Sequence, residues 1–161
     1  LLRRKVSKDI KSMGRKYKEV YFDLGGEIEK CYSKIKKDSH IDLGGGNCGM
    51  VAYSIYVYIK EMYSKHVKFG ILTNATDEND LIYGEREVYH IYLISGRGSW
   101  DETGKIGDEY LLKLSEDQYE DMNPIRYIFD MPKEEEKVMK VIRWQTNFDE
   151  EWGFFYKFLI N

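Results

Sequence analysis

The hydrophobic positions of this chain fall into runs with distinct periods, and each period predicts an element. Val6, Ile10, Met13, Tyr17 and Val20 recur at helical steps with Lys and Arg between them, which predicts an amphipathic helix weakened at Gly14 and ended by Gly25-Gly26. Ile28, Cys31, Tyr32 and Ile35 predict a second, short helix finishing in Lys36-Lys37-Asp38. The run Met50 to Ile59 contains no Gly, Pro or charge. Apolar on nearly all sides, it predicts a buried central helix from Cys48 to about Tyr63. Residues 39 to 47 form a glycine-rich approach to it.

Beyond the central helix the period changes. Val67 to Leu72 reads as a strand, and the polar stretch Asn74 to Asp80 as an exposed loop. From Glu87 to Ile94 the side chains alternate, with Val88, His90, Tyr92 and Ile94 on one face and Tyr89, Ile91 and Leu93 on the other. Both faces are largely apolar, which predicts an interior strand. Ser95-Gly96-Arg97-Gly98 reads as a hairpin turn, and Ser99-Trp100-Asp101 as the start of the return strand. Tyr110-Leu111-Leu112 and the acidic stretch Ser115 to Asp121 lead to Pro124. Ile125 to Phe129 predicts another strand. Pro132 followed by Glu134-Glu135-Glu136 predicts a helix start, with a strand over Val138 to Ile142 as the alternative. Trp152 to Ile160 is expected to be a terminal strand. Together these elements predict an α+β fold in a single domain over 1–161, with N-terminal helices over 1–38 and the helix that starts at Cys48 packed on an antiparallel sheet.

Composition narrows the function. With 161 residues, 33% charged and 42% hydrophobic, the chain has the balance of one globular domain. A net charge of −3 argues against dedicated nucleic-acid binding. The basic face of the first helix is read as solvated, with an acidic partner as the alternative. No apolar run reaches the ~18 residues that span a bilayer, so no membrane association is expected. Leu1-Leu2-Arg3-Arg4-Lys5 leads into Ser7-Lys8-Asp9 rather than an apolar core, so it is not read as a signal peptide. A reducing cytoplasm with two free thiols, Cys31 and Cys48, is the expectation. The Lys, Tyr, Ile and Asn usage fits a phage or low-GC bacterial source. Cys31, His40, Cys48 and His90 lack the paired spacing of a zinc site, and Gly44-Gly45-Gly46 lacks the Lys-Ser/Thr pair of a phosphate loop. Neither metal nor cofactor is expected. His40 and His66 sit in polar surroundings and are not assigned a role.

The candidate chemistry starts at Cys48. A glycine segment feeding an apolar helix places this thiol at a helix N-terminus, where unpaired N–H groups and the helix dipole favour a thiolate. A cysteine nucleophile needs a base, and the base needs an orienting group. His90 on the interior strand is the candidate base. Asp101 is the candidate orienter, because pairing Ile94 with Arg97 across the hairpin would set residue 90 opposite residue 101, and a longer turn would leave them diagonal neighbours. Structural readings stand beside this one: a small buried hydrophobe for Cys48, a core residue for His90, and local turn chemistry for Asp101 before Thr103-Gly104.

Gly46-Asn47-Cys48-Gly49-Met50-Val51-Ala52 resembles the nucleophile segment of the papain-like fold, and within it of transglutaminase-like and related bacterial or phage cysteine hydrolases. His90-Ile91-Tyr92-Leu93, a turn, and Trp100-Asp101-Glu102-Thr103 are similar to the His strand of those families and the strand after it. The order Cys, His, Asp also matches. The resemblance implies a papain-like domain in which Cys48 is the nucleophile, His90 the general base and acid, and Asp101 the orienting residue. The implied activity is that of a peptidase, deamidase or transglutaminase-like acyl transferase on a protein or peptide substrate. Cys48 would supply a backbone oxyanion donor, with Asn47, Gly49 and Trp100 as oxyanion or substrate-binding candidates. Papain-type enzymes carry a Gln upstream of the Cys as a second donor; Asp42 stands there in this chain and does not donate when ionised. The alternative is a catalytically inactive protein of the same fold that binds or inhibits through protein contacts. Specificity is expected in segment 74 to 86 and in the C-terminal third.

Overall fold

The computed structural model describes residues 22–161 apart from positions 85, 97 and 147. The helix expected over 6–20 and its basic face lie outside the described residues. Among the described residues, six α-helices and a five-stranded antiparallel sheet make an α+β fold.

Helix α1 runs Leu24–Ser39, starting before the point where Gly25-Gly26 was expected to break the chain. The Asp23 carboxylate caps it by accepting from the Gly26 N–H at 2.9 Å, so the glycines lie inside a capped first turn. Gly25 also lies under the Trp100 indole, where an added Cβ would stand 2.4 Å from the ring. Helix α1 buries Ile28, Cys31, Tyr32 and Ile35, one stripe at helical spacing.

A single 3₁₀ turn, Gly45–Asn47, leads into α2, Cys48–Tyr63. Helix α2 is buried on nearly every side and packs against sheet, α1 and the C-terminal helix. Two tyrosines tie it down at its apolar middle: Tyr53 and Tyr56 both donate to the Glu135 carboxylate, at 3.2 and 2.5 Å. The buried Ser54 hydroxyl lies 2.8 Å from the Met50 carbonyl and 2.9 Å from that of Trp152.

The sheet has the order β4-β3-β2-β1-β5, with β1 Lys68–Thr73, β2 Val88–Ser95, β3 Gly98–Asp101, β4 Gly104–Ile106 and β5 Ile125–Asp130. Strand β2 is interior, as its two apolar faces predict. Ile71, Ile91, Phe69 and Leu93 join the main core under α2, whereas Leu72, Tyr92 and Ile106 form a smaller cluster with Leu111. Leu111 belongs to α4, Asp108–Tyr119, which the sequence reading had left without an element.

Two expectations are corrected and one alternative is decided. The loop over 74–80 holds the start of a short helix α3, Glu78–Ile82, because Asp77 caps it through the Asp80 N–H at 2.9 Å. Of the two readings around Pro132, the helix stands: α5 spans Glu135–Gln145 and buries Val138, Val141 and Ile142, a helical spacing. The terminal strand is instead helix α6, Phe148–Ile160. Phe148, Phe155 and Leu159 are buried and Trp152 half-buried, at steps of three and four, whereas Phe154 and Ile160 face outward. A strand would have put consecutive aromatic residues on opposite faces of a sheet that has no room for them. Among the described residues, no helix is long and apolar enough to cross a membrane.

Candidate active site

Hairpin β2–β3 pairs Leu93 with Trp100, Ile94 with Ser99 and Ser95 with Gly98. The register therefore differs from the expected pairing of Ile94 with Arg97: Ile94 stands opposite Ser99, two residues further on. Extending the observed register would set Asp101 opposite Tyr92, on the same face as His90 and one diagonal step away. The ladder ends at Leu93 and Trp100, and His90 and Asp101 lie just beyond its end. His90 Nε2 meets Asp101 Oδ2 at 2.7 Å. Both side chains are buried, Asp101 completely.

The Asp101 carboxylate serves two structures at once. Oδ2 takes the imidazole, while Oδ1 accepts from the Thr103 backbone N–H at 2.8 Å and from the Thr103 hydroxyl at 2.5 Å. The local turn chemistry expected for Asp-x-Thr-Gly is present and leaves one oxygen for His90. These bonds act on a buried charge. Burial alone would raise the Asp101 pKa, but the His90 and Thr103 hydrogen bonds bring it below the ordinary value of 3.8. Glu102 next to it is pushed up by burial and by the Asp101 charge.

The histidine behaves correspondingly. Burial disfavours the imidazolium, yet the hydrogen bond to Asp101, then the hydrogen bond and charge of Cys48, outweigh it and lift the pKa to about 10. Cys48 is thus near enough to act on the ring that Asp101 holds. With Nε2 on Asp101, Nδ1 is the ring nitrogen left for a thiol. Neighbouring rings hold its plane: Tyr92 stacks on it at 5.9 Å between centroids and 24° between planes, and Tyr110 approaches edge-on at 6.3 Å. Tyr92 has that position because residue 70, its partner on β1, is a glycine. A Cβ on Gly70 would stand 2.2 Å from the Tyr92 ring.

The remaining expected residues are placed as follows. Asn47 donates its side-chain amide to the Asp42 carbonyl at 2.9 Å, and the Asp42 carboxylate accepts from the Gly44 N–H at 3.0 Å. Both polar groups are engaged in the loop before Cys48. Gly49 allows close packing, since a Cβ there would meet Ile91 and Ile142 at 3.0 Å. Trp100 fills the space over Gly25 and Gly98 between α1 and the sheet, with the Lys105 ammonium 5.8 Å from its ring. His40 and His66 are exposed. Cys31 is a buried thiol pushed up to about 12 by burial and by Glu27, so it remains protonated.

Sequence reasoning missed Thr103, Tyr110 and Tyr32 as neighbours of this centre. Thr103 was marked only by its i+2 spacing from Asp101; Tyr32 and Tyr110 lie on helices that only tertiary packing brings to the site. It also missed a cleft of about 330 Å³ bordered by Glu87, Val88, Tyr119, Val141, Trp144 and Gln145. Tyr119 reaches this cleft from the end of α4, where it stacks on Tyr89 at 4.2 Å and feels the charge of Cys48.

His90, Asp101 and Glu102 can bring three ligand atoms within 4.8 Å of one another. However, the 2.7 Å contact is that of an N–H···O bond, and a cation shared by His90 and Asp101 would have to displace its proton. The donor set fits an oriented base better than a metal centre.

No family model, curated protein or solved structure matches this chain. The chemistry is accordingly argued from its own residues.

Proposed function

We propose that the chain is a cysteine-dependent hydrolase or acyl transferase of the papain-like or transglutaminase-like kind, acting on an amide or thioester of a protein or peptide. The observation that carries this reading is the buried 2.7 Å bond between His90 Nε2 and Asp101 Oδ2, on a ring whose proton affinity Cys48 also raises. An aspartate fixed by Thr103 holds the tautomer with hydrogen on Nε2, which leaves the Nδ1 lone pair for the thiol proton.

In the first half-reaction, the sulfur of Cys48, its proton already held on Nδ1 by the raised proton affinity of His90, attacks the substrate carbonyl carbon. A C–S bond forms and the carbonyl π pair moves to oxygen. First-turn N–H groups of α2 face the developing charge. Collapse of the tetrahedral species expels an amine or thiol, which leaves with the proton from Nδ1. Water or an amine then attacks the thioester, gives its proton to Nδ1 and releases Cys48. Peptide cleavage, deamidation and amine transfer share the first half and differ in the acceptor.

The test is acylation of the protein by p-nitrophenyl acetate, read as a burst of nitrophenolate and as an acetyl mass increment located by peptide mapping. The expected result is one acetyl group on Cys48, with the burst abolished by Cys48→Ser and reduced at least 10²-fold by His90→Ala. An acetyl group on Cys31 or on lysines only would refute the assignment.

A further inference from the structure

Two phenol oxygens among the described residues are buried without a hydrogen-bond partner, those of Tyr32 and Tyr92. Tyr92 lies across Gly70 and has the Arg126 guanidinium as a charged neighbour. Tyr32 has a different environment. It is 3% exposed and projects from α1, which packs against both β3 and α2, the elements that carry Asp101 and Cys48. The ionisable groups that act on its hydroxyl are Asp101, Glu102, Cys48 and Cys31. An unpaired buried hydroxyl is a standing penalty, and this one belongs to a helix packed on the two elements that carry the candidate centre.

The side-chain donor that an acyl-transfer site needs is otherwise missing. Asp42 is a carboxylate and already accepts from Gly44, and the Asn47 amide donates to the Asp42 carbonyl. We infer that the Tyr32 phenol supplies that donor, giving its O–H to the oxygen of the tetrahedral species formed on Cys48. The inference rests on the acyl-transfer reading above and deepens it by naming a second oxyanion donor beside the backbone N–H groups of α2.

The physical logic is differential binding. In the resting protein the O–H has no acceptor within hydrogen-bond distance; the new oxyanion provides one. A bond absent in the ground state and made in the transition state lowers the barrier by its whole strength. Burial and the neighbouring acids also keep the phenol protonated, because both raise its pKa well above the ordinary 10.0. It remains a donor wherever the enzyme operates.

Tyr32→Phe removes the oxygen and nothing else, and two reactions of Cys48 separate the outcomes. Acylation by p-nitrophenyl acetate passes through an oxyanion, whereas alkylation by iodoacetamide displaces iodide at a tetrahedral carbon and forms none. The expected result is a burst slowed on the order of 10²-fold, with the alkylation rate of Cys48 unchanged and the melting temperature not lowered. A purely structural tyrosine would move the melting temperature and leave the burst alone. A burst within threefold of wild type, beside fast alkylation in both proteins, overturns the Tyr32 assignment and leaves Cys48 chemistry standing. Equal slowing of both reactions also overturns it, by showing that Tyr32 acts through the thiol. If the wild-type protein shows neither a burst nor fast alkylation, the acyl-transfer reading fails first and Tyr32 falls with it.

Discussion

Asp101 shows how one buried carboxylate is made to serve a histidine. One oxygen is held by the Thr103 backbone and hydroxyl, which leaves the other with a fixed direction and only His90 to bond. The pair also couples stability to pH. His90 is raised from an ordinary 6.5 to about 10, so its contribution is fully present below about pH 6.5 and is lost as pH rises toward 10. Asp101 is lowered from 3.8, so its contribution is present above that value and is lost as pH falls below it. The pair stabilises most between these limits. The melting-temperature difference between wild type and His90→Gln should therefore be largest near pH 5.5 and should shrink at pH 7.5 and again at pH 9.5. A difference that stays constant across those three values would show that His90 carries no raised proton affinity. Cys48, His90 and Asp101 were legible from residue types and order. The bulge at Tyr89 and the pairing of Ile94 with Ser99 were not, because register depends on where a turn closes and not on which residues alternate.

At the scale of elements, the site depends on positions where a side chain is absent. Gly70 lets Tyr92 lie across β1 and stack on the His90 ring, and Gly49 lets the first turn of α2 approach Ile91 and Ile142. Alanine at residue 70 would put a Cβ inside the Tyr92 ring, so that ring has to move and the support of His90 moves with it. Overpacking of this kind costs about 1–3 kcal/mol. Gly70→Ala is expected to lower denaturant stability by that amount and to slow Cys48 alkylation; unchanged values for both would show that Tyr92 does not depend on residue 70. The central helix was legible as an element because its uniform apolar surface has no other stable environment. Helix α6 was misread because aromatic residues suit strands as well as helices, and its buried stripe is evident only once α2 is known to be its partner.

For the molecule as a whole, the candidate centre lies buried between packed layers. Helices α1, α2 and α6 bury the main core, the sheet presents its far side to α4, and the end of the β2–β3 ladder lies where α2 begins. The α+β class and the antiparallel sheet followed from the periods of the sequence. The cleft beside Tyr119 and Trp144 did not, since its walls come from separated segments that share no local signal. The central claim is that the His90–Asp101 pair activates one of two thiols. Cys31 supplies an internal control, being buried and pushed up to about 12. The most direct measurement is the rate of iodoacetamide alkylation at each cysteine near pH 6, followed by peptide mass mapping in wild type and His90→Ala. The account predicts rapid modification of Cys48, loss of that rate in His90→Ala, and a slow Cys31 in both proteins. Cys48 reacting no faster than an ordinary free thiol, with no effect of His90→Ala, would contradict it.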